Sequence, residues 1–167
     1  PQYLIAPSID PLADKNRELA PETIHELLDK YQVPTDKPLV TQISRFDRLK
    51  DPLGVIEAYR LVKKYNDCRL VLAGGGASDD PEGAQVLEEV KEAAHRDPDI
   101  LVLLLPQDDL FINALQRASA VVVQKSIKEG FGLTVSEALW KGRPVVASNV
   151  GGIPIQVKHK YSGLLCH

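Results

Sequence analysis

Glu129 and Glu137 enclose the run Gly130-Phe131-Gly132-Leu133-Thr134, the densest concentration of chemistry in the chain. Gly130 and Gly132 carry no Cβ, so the backbone can turn sharply there and approach a ligand closely. An apolar pattern at helical spacing follows, and the first turn of a helix offers N–H groups with no carbonyl partner. Those amides and the helix dipole favour an anion, and phosphate is the natural occupant. Glu129 is expected at the rim of this loop, within reach of whatever the phosphate carries. Glu137, in the second turn, can accept hydrogen bonds from a vicinal diol such as a ribose. A plainer alternative stays open: Thr134-Val-Ser-Glu137 also fits a capping box, in which Glu137 only satisfies the helix N-terminus.

A second loop supplies cations. Ser44-Arg45-Phe-Asp-Arg48-Leu-Lys50-Asp51 follows a strand pattern and places Arg45 and Lys50 on the same expected crevice. A guanidinium grips phosphate oxygens as a fork and an ammonium acts as a point charge, so the pair can neutralise a diphosphate. Arg48 reads as a solvated surface residue. Gly74-Gly75-Gly76 forms a third loop, but Asp79 stands where a dinucleotide fingerprint needs its last glycine. These glycines either let the backbone pass close to a ligand or simply make a turn.

The elements that must position these loops alternate regularly. Residues 1–37 read as an irregular opening segment with one short helix from Pro21 to about Tyr31; a regular domain spans 38–167. Strands are expected at 39–43, 69–73, 100–105, 120–123 and 145–147, with a sixth at 164–166. Asp51-Pro52 and Asp80-Pro81 each pair an N-cap with a proline at the first helical position. Leu53, Ile56, Ala58, Tyr59 and Val62 give the first of these two helices its apolar stripe. Asp108 or Asp109 caps a helix through Gln116, and another covers 132–141, with Gly142 at its C-terminal stop. The fully apolar strand 100–105 suits burial on both faces of a parallel sheet. Together these define an α/β, doubly wound parallel sheet, Rossmann-like, whose ligands bind at the strands' carboxyl ends.

Bulk properties exclude several classes. The chain has 167 residues, 44% apolar and 26% charged, which is enough for one domain with a real core. A net charge of −3 argues against a nucleic-acid binder. No apolar run approaches a membrane span. The two cysteines and four histidines show no ligand spacing, so no metal site is expected. Because the chain starts at Pro1 and contains no methionine, it is expected to be an excised piece of a longer protein or a processed chain.

With these residues in view, Glu129-Gly-Phe-Gly-Leu-x3-Glu137 resembles the Glu-x7-Glu motif of retaining glycosyltransferases of the GT-B fold, family 4 in particular. The likeness extends to Arg45 and Lys50, to Gly74-Gly75-Gly76, to Gly142-x-Pro144-Val-Val-Ala147 and to Gly151-Gly152-Ile153-Pro154, over residues 38–166. Asn113-Ala-Leu-Gln-Arg-Ala-Ser119, Gln124-Lys125-Ser126 and Pro7-Ser8-Ile9-Asp10-Pro11 are similar to a branch that moves glucose from a nucleotide-glucose onto free glucose.

The resemblance implies roles by position. Arg45, Lys50 and Glu129 would form the catalytic group, the two cations stabilising the departing diphosphate where other enzymes use a metal. Ser44, Gly74, Gly75, Gly130, Phe131, Gly132, Leu133 and Thr134 would line the donor site, with Glu129 on the hexose and Glu137 on the ribose. The strand end around Leu104 would hold the base through backbone groups. Ile155 departs from an acidic residue common in the family. The implied chain is one half of a GT-B enzyme, with its acceptor bound mainly by an N-terminal domain outside this sequence. It needs no cofactor, no nucleic-acid partner and no membrane span; it would be cytoplasmic, and a homo-oligomer is left open. A glycoside hydrolase, with Glu129 and Glu137 opposed about 5 Å apart, is a competing class, as is a non-catalytic nucleotide module.

Overall fold

The computed structural model describes residues 3, 5–75 and 81–167. In chain order the elements are α1 Pro21–Lys30, β1 Leu39–Ile43, α2 Pro52–Lys63, β2 Arg69–Gly74, α3 Pro81–Ala94 and β3 Ile100–Leu104. They continue with α4 Asp109–Ala118, β4 Ser119–Gln124, α5 Leu133–Trp140, β5 Val145–Ser148, α6 Ile153–Gln156 and β6 Gly163–Cys166. The short helix α6 has no counterpart in the sequence reading, because four residues are too few for a helical period to show. The expected Asp80 cap and Gly76 lie outside the described residues.

All six strands pair in parallel in the order β3-β2-β1-β4-β5-β6. The order reverses between β1 and β4, which puts the crevice for a ligand between the loops that follow those two strands. Capping works as the sequence chemistry requires. Asp51 accepts from the Gly54 amide at 3.1 Å and Asp108 from the Phe111 amide at 2.9 Å.

Three apolar clusters fill the layers. α2 and α3 pack on one face over β1–β3, burying Ile56, Tyr59, Leu70, Leu72 and Val90. On the other face, α1 and α4 bury Leu28, Val71, Phe111 and Leu115. α5 and α6 cover Val122, Val145 and Ala147. Because α1 and Val33 belong to the second cluster, the opening segment packs into the same body as the sheet.

β3 lies at the edge of the sheet, yet its side chains pack on both faces as expected, Ile100 and Val102 on one and Leu101 and Leu103 on the other, while Leu104 at its end is 52% exposed. One expectation is corrected. The buried stripe of α2 runs through Pro52, Val55, Ile56 and Tyr59, not through Ala58 and Val62. Those two residues instead line an apolar cavity of about 750 Å³ with Val121, Val123, Val146 and Val150. Among the described residues no helix covers that face beyond β1, so the side of α2 turned towards β4 and β5 stays open.

Candidate functional site

The loops at the carboxyl edge are bound tightly to one another. Gln42, the penultimate residue of β1 and 2% exposed, donates from Nε2 to the Lys50 carbonyl at 2.9 Å. Its Oε1 accepts from the Lys125 amide at 3.1 Å. The Ile127 amide donates to the Leu49 carbonyl at 2.8 Å, and Lys125 Nζ pairs with Asp51. One buried glutamine thus ties the loop after β1 to the loop after β4 across the point where the strand order reverses.

That bracing brings Lys50 onto Glu129. Lys50 Nζ lies 2.6 Å from Glu129 Oε2, and the two side chains are 18% and 11% exposed. The same oxygen accepts from Gln124 Nε2 at 3.2 Å and Ser126 Oγ at 3.3 Å, while Oε1 accepts from the Gly130 amide at 3.0 Å. Lys50 itself sits in a short 3-10 turn whose N-cap, Asp47, accepts from the Lys50 amide. Arg45, 67% exposed, pairs with Asp47 at 3.1 Å and reaches out from the same loop. Arg48 is not simply solvated: it forms a two-pronged pair with Glu89 of α3 at 2.8 and 2.9 Å.

Beside this group, α5 opens at Gly132, which has φ +85° and gives the helix N-terminus no side-chain cap. By helix geometry the amides of Leu133 and Thr134 have no intrahelical acceptor. The loop after β5 buttresses the turn. A Cβ on Gly151 would come within 1.7 Å of the Glu129 carbonyl, and one on Gly152 within 2.8 Å of Phe131 Cα. The Gly152 amide donates to the Gly130 carbonyl at 2.8 Å, and Gln156 donates to the Phe131 carbonyl.

Other expected residues fall into different settings. Gly74 is required by packing: its Cβ would meet the Ser44 carbonyl at 1.7 Å, so the backbone that follows β1 lies hard against the end of β2. Gly75 is open, with the Leu105 carbonyl 4.0 Å from where a Cβ would stand. The Leu105 amide donates to the Gly74 carbonyl at 2.9 Å. The Thr134 hydroxyl donates to the Ile43 carbonyl at 3.4 Å.

Glu137 is neither a capping-box residue nor open to solvent. The N-cap of α5 is Gly132, and the Glu137 side chain is 5% exposed. Its Oε2 accepts from Gln116 Nε2 at 3.0 Å, and its Oε1 lies 3.4 Å from Lys15 Nζ. Lys141, one turn on, is buried, and burial pushes its ammonium down to about 8.

Sequence reasoning missed Gln42 and gave Gln124 and Ser126 no role beyond the resemblance, although all three hold the cation and its carboxylate in place. Its available signal was a glutamine near the carboxyl end of an apolar strand, at Gln42 and again at Gln124.

A six-stranded doubly wound parallel sheet with flanking helices defines a Rossmann-like domain of the GT-B kind. The chain belongs to the family "Glycosyl transferases group 1", whose model matches residues 23–167. It is 49% identical over 157 residues to the trehalose synthase of Rubrobacter xylanophilus, covering 92% of this chain and 38% of that protein. It is 46% identical over 165 residues to the trehalose synthase of Pyrococcus horikoshii, covering 97% of this chain and 40% of that protein. The chain therefore spans about 40% of the length of these curated relatives. Among solved structures, a glycosyltransferase from Rickettsia africae superposes with a TM-score of 0.76 at 26% identity, over 88% of this chain and 38% of that one.

Proposed function

We propose that this chain is the donor-binding half of a retaining hexosyltransferase that moves glucose from a nucleoside-diphosphate glucose to a sugar acceptor. With glucose as the acceptor the product is trehalose. The observation that carries the reading is the Lys50–Glu129 contact at 2.6 Å beside the uncapped start of α5. The trehalose synthase relatives support the choice of glucose and of product.

In this reading the amides of Gly130 to Thr134 hold the β-phosphate, and Lys50 and Arg45 neutralise the diphosphate as it departs. Ser44, Gly74 and Gly75 form the floor under the donor, the strand end at Leu104 takes the base, and Glu137 the ribose. Glu129 binds a hexose hydroxyl. The leaving phosphate oxygen accepts the acceptor's proton on the face the acceptor attacks, so configuration is retained with no protein nucleophile. The acceptor is held by the part of the protein outside this chain, and the chain alone turns over nothing. Its place of work is the cytoplasm.

A hydrolase built on a carboxylate pair is disfavoured. Glu129 is turned to Lys50, Gln124 and Ser126, whereas Glu137 is turned to Lys15 and Gln116. Two groups with such separate partners do not face one scissile bond. Calorimetry with UDP, ADP and GDP tests the donor reading. Binding of at least one is expected, and heat from none of them overturns it.

A further inference from the structure

Residues 10–17 have no regular secondary structure, yet they are fastened along α4 and α5 by four side chains. Asn113 Nδ2 donates to the carbonyls of Asp14 and Arg17 at 2.8 Å each. Arg117 and Trp140 Nε1 both donate to the Asn16 carbonyl at 3.3 Å. Asn16 is 4% exposed, and its Oδ1 accepts from Lys141 Nζ at 3.0 Å. A stretch with no helix or strand of its own is thus fastened in place, and what it delivers to Glu137 is Lys15.

We propose that Lys15 is a positioning residue for Glu137, orienting that buried carboxylate so that its free acceptor positions grip a nucleotide ribose. This rests on Glu137 being the ribose contact, as argued above. Burying a carboxylate is costly unless a partner of opposite charge is at hand. Lys141 does not supply one directly, since its ammonium is turned to Asn16 Oδ1 and to the backbone carbonyl of Glu137. Lys15, 37% exposed, reaches Oε1, and Gln116 donates to Oε2. Each carboxylate oxygen offers two acceptor positions. One on each oxygen is therefore still free, side by side, which is the spacing a cis-diol presents. One helical turn separates Glu137 from the amides of α5, about 6 Å at 1.5 Å per residue. That is the scale on which a nucleotide sets its ribose from its phosphates.

The test is calorimetry on the 167-residue chain with ADP and UDP, their 2′-deoxy counterparts, and inorganic pyrophosphate. The unaltered chain is expected to prefer the ribonucleotide. Lys15→Met, which keeps the alkyl stem, should weaken ribonucleotide binding roughly tenfold, as loss of a charge-assisted contact does. It should also bring the ribo-to-deoxy ratio close to one, with pyrophosphate unaffected, and Lys15→Arg should restore the preference. A general loosening would weaken pyrophosphate in step, and that result overturns the proposal. If Glu137→Gln removes the ribose preference but Lys15→Met retains it, the Lys15 inference alone falls. If the unaltered chain binds both sugars equally, the ribose reading of Glu137 falls and this inference with it.

Discussion

Replacing Lys50 by methionine separates two jobs the lysine performs. In the structure its ammonium is 2.6 Å from Glu129 Oε2, with both side chains largely buried. Removing it strands a carboxylate that keeps only Gln124, Ser126 and one amide, so a stability loss of about 1–3 kcal/mol is expected. The same change deletes a charge-assisted contact to a diphosphate, a loss of about 1.5–3 kcal/mol, or roughly 10- to 100-fold in affinity. Glu129→Gln should behave in the opposite way. The amide keeps most of the geometry, frees Lys50 from a competing anion, and lifts repulsion against the incoming phosphates. A nucleoside diphosphate should then bind a few-fold tighter to Glu129→Gln, while turnover of the whole enzyme drops. Calorimetry on both variants at two salt concentrations reads this, with urea unfolding alongside for stability. If Glu129→Gln weakens the nucleotide as much as Lys50→Met does, Glu129 holds the diphosphate itself, and the partner-exchange reasoning is refuted.

Two further expectations concern the scaffold. Asp99 is reached by Lys37 at 2.8 Å, Lys63 at 3.0 Å and Arg69 at 3.1 Å, and the first two hold its carboxyl down to about 2 from 3.8. A depressed folded value means the stabilisation is present above pH 3.8 and is lost as pH falls towards 2. After allowance for screening it is worth about 1–2 kcal/mol, so Asp99→Asn should flatten the acid limb of a urea-midpoint-against-pH curve. An unchanged limb would show the network to be without net effect. Gly151→Ala forces a side chain to φ +55° and onto the Glu129 carbonyl. It should cost at least about 2 kcal/mol and weaken nucleotide binding more than Gly142→Ala, whose Cβ meets nothing within 4 Å.

How far the sequence could be read depends on whether a feature is local. β1 through β5 follow from apolar runs between turn residues, and the caps at Asp51 and Asp108 from single residues before a helix. The glycine turn and its two glutamates are likewise contained in one short stretch. What the chain hides is which polar groups meet across long separations. Gln42 reaches Lys125, Lys50 reaches Glu129, and Lys15 reaches Glu137. Nothing in the spacing of any one of these residues names its partner. Glu137 shows the consequence: its local pattern fits a capping box, and only the arrival of residues 10–17 and of α4 decides that its carboxylate faces elsewhere.

Long separations also bear on why the proposed site is placed at the reversal of strand order. Adjacent loops on one arm of the sheet are joined by helices that run between them and fill the space. Between β1 and β4 no helix intervenes, so the two loops must be held by side chains: Gln42 on the backbone of Lys50 and Lys125, and Lys125 on Asp51. Such a brace is stiff where the backbone is fastened and adjustable at the tips. Lys50 can leave Glu129 for a phosphate without disturbing its own carbonyl, which stays bound to Gln42. The proposed donor site would use that combination: a cation that follows charge onto a leaving diphosphate while the turn proposed to hold the phosphate stays still.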